Sequence, residues 1–249
     1  MKNSNKPIEH SLAVDELEGL LAQVQDQQRL LQQQLDYEHH AMLGLAKRLW
    51  VQQEQERAYF ARELHDDIGQ QLIALRAQID ALQNPQLEQI QEGLLHLIES
   101  TRNLSRIMHP TILFDLGLER ALTWLNRQLL EPANIQLAIH YDLSITLPNA
   151  VNLLLFRIAQ ETFVNSVKHA QASEIDLTIS ETSQGIVLKI KDDGIGFNVQ
   201  SIEFGIGLQS LKDRALACGA SLDIHSKPNC GCEVTLLLPY QQLSEFGDL

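Results

Sequence analysis

A stripe of apolar residues through the first part of the chain limits the folds open to it. Val14, Leu17, Leu21, Val24, Leu31, Leu35, Met42, Leu45 and Leu49 follow steps of three and four, Gln28 and Glu38 interrupt the seam, and no proline breaks the run. That period belongs to helices wound on one another, and polar seam residues weaken such a zipper, which suits a helix that shifts. Residues 1–53 are therefore expected to form a coiled-coil signalling helix, most simply in a parallel dimer. The same stripe would also serve a single helix packed on its own domain. A second stripe follows within Glu56–Asp80: Phe60, Leu64, Ile68, Leu72, Leu75 and Ile79, continued by Leu82, again mark one helix face. His65 stands one residue past a core position on the shoulder of that face, with Asp66 beside it. Asp66 and Gln70, four apart, project from the same side on successive turns. An imidazole, a carboxylate and an amide on a partly exposed flank can do chemistry; they are also an ordinary solvated helix face.

The helix around His65 is expected to end near Asn84-Pro85, where Asn84 can cap a new helix and Pro85 take its first position. Leu87, Ile90, Leu94, Leu97, Ile98, Leu104 and Ile107 then carry a second helix to His109-Pro110. Two antiparallel helices with one apolar stripe each cannot close a core, but two copies can, as a four-helix bundle. Residues 54–112 are thus expected to form a homodimeric helical hairpin.

Past Pro110 the texture changes. The pattern predicts a short helix with Leu118, Leu122 and Leu125 inward, a strand over Ile135–Tyr141, and a long helix from Pro148 to Ala170. Strands follow at Ile175–Ser180 and Ile186–Ile190, then a helix over Leu208–Cys218 and strands at Ser221–Ser226 and Cys232–Leu238. Residues 113–240 read as an α/β sandwich with a mixed sheet, residues 241–249 as a tail, and the whole chain as α+β.

A formal net charge of -13 over 249 residues argues against nucleic acid or anionic membrane as a partner. No apolar run approaches bilayer length and MKNSNKPIEH lacks an apolar signal core, so the expectation is a cytoplasmic chain without membrane insertion. Cys218, Cys230 and Cys232 fit a reducing compartment as ordinary thiols.

A second constellation lies on the long helix and beyond it. Glu161, Asn165 and Lys168 or His169 share one helix face. The Asn165 and Glu161 oxygens are hard donors suited to Mg²⁺ on a polyphosphate, while Lys168 and His169 would meet phosphate charge. Asp192, Gly194 and Gly196 form D-x-G-x-G, in which the carboxylate can accept an adenine amine and the glycines admit close approach. Gly205 and Gly207 precede a helix N-terminus, a place suited to phosphate. Each signal is weak singly; their order is specific.

Glu161/Asn165, the D-x-G-x-G at Asp192 and GIGL at Gly205 resemble the N and glycine boxes of the GHKL (Bergerat-type) ATP-binding fold. RELHDDIGQQL resembles the phosphoacceptor box of sensor histidine kinase transmitters, specifically the NarX/UhpB/DesK subfamily. The LGL-x-x-AL connector (Leu116 to Leu122) and N-x-x-KHA (Asn165 to Ala170) agree, and the resemblance spans roughly Glu54–Pro239. It departs at His109-Pro110, where Arg-Pro is usual, at Gly219-Ala220, and at Cys232, where Thr is typical. The resemblance implies ATP-dependent autophosphorylation on His65, with Asp66 as orienter and general base. It implies transfer to an Asp of a cognate response regulator, and a phosphatase activity in which Gln70 orients water. It also implies a homodimer that takes its signal from its own coil or from a separate sensory protein. Two other classes use the same nucleotide residues: a nucleotide-sensing dimeric binding module without phosphotransfer, and an ATP-hydrolysing motor in which Glu161 activates water.

Overall fold

A computed structural model describes residues 6–199 and 206–243, with side chains described from residue 23 onward except at 39 and 206. The chain divides into two compact units, Met1–Leu45 and Ala46–Leu249. The first is helical, within α1 (Lys6–Glu63). Val24, Leu31, Leu35, Met42 and Leu45 of the expected stripe are each more than half exposed in the single chain. Val14, Leu17 and Leu21 lie outside the residues whose side chains are described.

In the second unit α1 runs to Glu63, and the chain continues through a wide π-helical turn, Leu64–Gly69, into α2 (Gln70–Ala81). The helix expected to be regular over Glu56–Asp80 therefore carries an i→i+5 turn at His65, a local widening that recurs at functional positions. Asn84 accepts from the Gln86 N–H at 3.0 Å and Pro85 opens a one-turn 3₁₀ segment, which leads into α3 (Glu88–Met108). Gln91 Nε2 donates to Asp80 Oδ1 at 2.9 Å, and Ser105 Oγ to the Ala61 carbonyl at 2.8 Å. The two contacts run in opposite senses along the chain, so α3 returns antiparallel to α1 and α2. One stripe of the hairpin stays open: Leu75 is 46% and Leu97 54% exposed.

Beyond α4 (Thr111–Leu116) and α5 (Leu118–Leu129) come β1 (Gln136–Asp142), α6 (Asn149–Asn165), β2 (Glu174–Glu181) and β3 (Gly185–Asp192). They are followed by α7 (Ile206–Ala217), β4 (Ser221–Ser226), β5 (Cys232–Pro239) and the short α8 (Tyr240–Leu243). The five strands form a mixed sheet in the order β1-β2-β3-β5-β4, parallel between β1 and β2 and antiparallel elsewhere. Alternation turns Ile175, Leu177 and Ile179 of β2, Ile186, Leu188 and Ile190 of β3, and Val234, Leu236 and Leu238 of β5 into one core. Leu118, Leu122 and Leu125 of α5 close it with the apolar side of α6, as their spacing predicts.

That core also takes in a residue from α1. Trp50 is 4% exposed and belongs to the same apolar cluster, with Ala46 packed against it. One turn on, Glu54 meets Arg157 of α6, which is fully buried. Arg157 Nη2 donates to Glu54 Oε2 at 2.6 Å and Nε to both Glu54 oxygens at 3.0 and 3.1 Å. Its remaining donors reach the Ile107 and Met108 carbonyls at the end of α3 and Gln160 Oε1, and Gln160 Nε2 returns to the Ile107 carbonyl at 3.1 Å. A guanidinium this deeply buried needs most of its five donors satisfied, and here three helices do it.

Candidate functional site

Period-two alternation places Ile186, Leu188 and Ile190 inward, and Asp192, the next in line, ends β3 as a carboxylate in the core-facing row. Its Oδ1 accepts from the Gly194 N–H at 3.0 Å and from the N–H of Cys232, its neighbour on β5, at 3.2 Å. Oδ2 accepts from Ser166 Oγ at 3.3 Å. These donors fix the carboxyl plane and leave acceptor capacity on Oδ2. Asp192 opens into a cavity of about 570 Å³ that also meets Asn165, His169, Gly196 and Gly207. Its apolar wall is built by Ile195, Phe197, Leu208, Leu211 and Val234. A slot of that volume with a few convergent polar groups suits a flat heterocycle carrying a charged tail.

Two glycines have physical reasons. Gly196 has φ +55°, and a Cβ there would strike the Lys227 carbonyl oxygen. A Cβ on Gly207 would collide with Glu161 Oε1 and stand 3.5 Å from Asn165 Oδ1. Both oxygens of the expected metal pair therefore converge on the start of α7. Asn165 Nδ2 is buried with no hydrogen-bond partner among the described residues. An orphaned amide donor beside two hard oxygens is what a polyphosphate with Mg²⁺ would satisfy, so the residues present fit both groups.

Not every expected residue lines the cavity. Lys168 and His169 lie exposed on a π-helical turn, Ser166–Ala170, that prolongs α6, and of the two only His169 lines it. Gly194 sits against Ala170 at its back, and Gly205 lies outside the described residues. Ser166 was not singled out by sequence; its signal was its place one residue past Asn165 on a buried flank. Cys232 lines the cavity too, and burial together with the charge of Asp192 pushes its thiol up to about 12.

His65 is exposed and lines a separate groove of about 510 Å³ with Asp66, Arg62, Arg102, Arg106 and His109. Arg102 and Arg106 are four apart on α3, so one face of that helix presents two guanidiniums to the groove. Neither they nor Arg62 make an ion pair or hydrogen bond among the described residues. No hydrogen bond joins Asp66 to His65. Gln70 is exposed on the first turn of α2, and the next glutamine, Gln71, binds Asp67 Oδ1 at 2.6 Å. Burial, then the charges of Arg157 and Arg62, hold His109 below the usual imidazole range, with Glu54 opposing them.

Residues 56–113 match the family described as histidine kinase, and residues 150–242 that of the histidine kinase-, DNA gyrase B- and HSP90-like ATPases. The chain belongs to the sensor histidine kinases. The chain is 35% identical over 241 residues to the signal transduction histidine-protein kinase/phosphatase UhpB of Salmonella typhimurium, covering 92% of the present chain and 48% of the relative. It is 32% identical over 209 residues to the sensor histidine kinase ComP of Bacillus subtilis, covering 76% and 27%. The chain thus spans less than half the length of each. A solved structure of the blue-light activated histidine kinase of Erythrobacter litoralis EL346 is similar with TM-score 0.49 and 18% identity, covering 62% of this chain and 53% of that one. No helix among the described residues is long and apolar enough to cross a membrane.

Proposed function

We propose that the chain is an ATP-dependent kinase that phosphorylates its own His65 and passes the phosphoryl group to an aspartate of a response regulator. The observation that carries this reading is the exposed imidazole of His65 at a groove with three unpaired guanidiniums, in a chain whose other cavity collects Asn165, Asp192 and Gly207. Residues 54–112 act as dimerisation and phosphotransfer domain and residues 113–240 as ATP-binding domain. Residues 1–53 act as signalling helix, with the signal arriving there or from a separate sensory protein. The open stripe at Leu75 and Leu97 is the surface that a second copy covers in a four-helix bundle.

Asp192 accepts the adenine amine, and the backbone at Gly205 and Gly207 meets phosphate. Asn165 and Glu161 would hold Mg²⁺, which when bound would supply charge neutralisation to the triphosphate. Gly194 and Gly196 shape the wall, and His169 and Lys168 add positive charge at the mouth. The unprotonated ring nitrogen of His65 attacks the γ-phosphorus; the bond from phosphorus to the β,γ-bridging oxygen breaks and ADP leaves. Asp66 turns to hold the other ring N–H and accepts its proton as charge builds on the ring. Arg62, Arg102 and Arg106 face the phosphoryl oxygens. Gln70 orients a water against the regulator's aspartyl phosphate, which makes the chain a phosphatase as well.

The test follows the γ-phosphate. With γ-labelled ATP the chain gains an acid-labile, base-stable label that His65→Gln abolishes. Label persisting in that variant, or label recovered wholly as free phosphate, defeats the reading.

A further inference from the structure

The groove at His65 holds a nucleophile and a set of cations but nothing that reads a base. Among the described residues that line it, Ala61 alone has a purely hydrocarbon side chain. A base finds its apolar wall in the other cavity, at Ile195, Leu208 and Val234, and the two share no lining residue. What the groove does select is charge. Arg62, Arg102 and Arg106 face it against the single carboxylate of Asp66, in a chain whose formal net charge is -13. Such a positive island on an acidic protein concentrates small, dense anions. Its parts are held in place: Arg62 stands three residues ahead of His65 on one helix face, and Ser105 Oγ pins α3 to the Ala61 carbonyl at 2.8 Å. Arg102 and Arg106 flank Ser105 and so approach the imidazole from the opposite helix.

The groups present also limit which phosphoryl donor can react there. An alcohol phosphate leaves as an alkoxide, which needs an acid to receive it. The guanidiniums hold their protons too tightly to give one. Burial, then the charges of Arg157 and Arg62, keep His109 below the usual imidazole range against the opposing Glu54, so at neutral pH it carries no proton to spare. A mixed anhydride of a carboxylic and a phosphoric acid has no such need. Its leaving group is a carboxylate, whose conjugate acid has a pKa of about 4, and it departs without a proton.

Resting on the kinase reading above, we propose that His65 also takes a phosphoryl group directly from a small acyl phosphate held by Arg62, Arg102 and Arg106, with no nucleotide involved. The unprotonated ring nitrogen gives its lone pair to phosphorus, the bond from phosphorus to the acyl oxygen breaks, and that electron pair leaves on the carboxylate. Asp66 takes the proton of the other ring nitrogen, so the products are phosphorylated His65 and a free carboxylate. Transfer from His65 to a regulator's aspartate makes an acyl phosphate through the same kind of transition state. Contacts that favour that transition state favour it from either side.

Acetyl phosphate labelled at phosphorus tests this on the full chain, with a chelator present and no nucleotide, beside labelled inorganic phosphate. An acid-labile, base-stable label is expected from acetyl phosphate alone and is absent in His65→Gln. Arg102→Gln combined with Arg106→Gln, both on an exposed face of α3, is expected to lower the rate at limiting donor on the order of tenfold with the melting temperature unmoved. Lysines at both positions should restore part of that rate. Excess ADP, which fills the other cavity, should leave the rate within about twofold. Label that persists in His65→Gln, that inorganic phosphate also leaves, that ADP displaces, or that ignores the arginine substitutions overturns the proposal. No label from acetyl phosphate where γ-labelled ATP labels His65 overturns it too and spares the kinase reading. Label from acetyl phosphate with none from ATP sustains the acyl phosphate step and defeats the kinase reading.

Discussion

Replacing Asp192 by asparagine separates what the carboxylate does for the fold from what it does for a nucleotide. In the protein Oδ1 accepts two backbone N–H groups at 3.0 and 3.2 Å. The asparagine carbonyl can accept both, so stability should change little, within about 0.5 kcal/mol, or a degree or two in Tm. The other oxygen becomes an NH₂. Ser166 Oγ, 3.3 Å away, can turn to accept from it, because its own proton has the Thr162 carbonyl at 3.1 Å. An adenine amine cannot turn. A charge-assisted hydrogen bond is worth about 1.5–3 kcal/mol and two donors would now face one another, so ADP should bind about 10- to 100-fold more weakly. Hypoxanthine presents a carbonyl where adenine presents the amine, so inosine diphosphate should lose much less or gain, and the base preference should narrow or reverse. Calorimetric titration of both diphosphates into both proteins, with thermal melts alongside, decides the matter. Asp192→Ala is the control: it strips both N–H groups of their acceptor, at about 1–3 kcal/mol each, and should melt early. If Asp192→Asn weakens both nucleotides equally, or leaves ADP affinity intact, Asp192 does not read the base.

Gly207→Ala should push the Glu161 carboxylate aside, since the new Cβ meets the end of a flexible side chain. The melting temperature should hardly move while the Mg²⁺ concentration for half-maximal nucleotide binding rises severalfold, and an unchanged Mg²⁺ requirement would remove Glu161 from the metal site. His109 supplies a pH dependence with a definite sign. Its folded pKa lies below the unfolded value of 6.5, so the unfolded chain takes up the proton first; stability is full above pH 6.5 and falls as pH drops through the folded pKa. His109→Gln should flatten that acid limb in urea titrations, and a slope identical to the parent's would show that the proton is taken up elsewhere.

Much of the fold was legible because local rules act over short ranges. The Asn84-Pro85 start, the inward leucines of α5 and the alternation that carries Asp192 inward are all set by residues within one or two turns. Gathering Asn165, Asp192, Gly196 and Gly207 around one cavity was legible from the order of the motifs, although no single motif would have been enough. The widening at Leu64–Gly69 was not legible, since apolar spacing tolerates one residue more in a turn without losing its face. Nor was the docking face of α1. Glu54 and Arg157 are 103 positions apart, and each alone reads as an ordinary polar residue of an amphipathic helix. The heptad stripe drew attention to Leu45 and Leu49, while the residues that pack, Ala46, Trp50 and Glu54, lie on another side of the helix. Arg102 and Arg106 belong with His65 because the hairpin folds back, a relation that no local pattern carries.

The thiol in the nucleotide cavity has a consequence for chemical probes. Cys232 is tempting as an anchor for an electrophile built onto an adenine mimic, yet its thiol is pushed up to about 12, and only a thiolate reacts quickly with such warheads. Cys218, buried and likewise pushed up to about 12, is equally inert. Maleimide labelling therefore falls on the exposed Cys230, two residues from the cavity wall, and gives a dye a defined seat without closing the cavity.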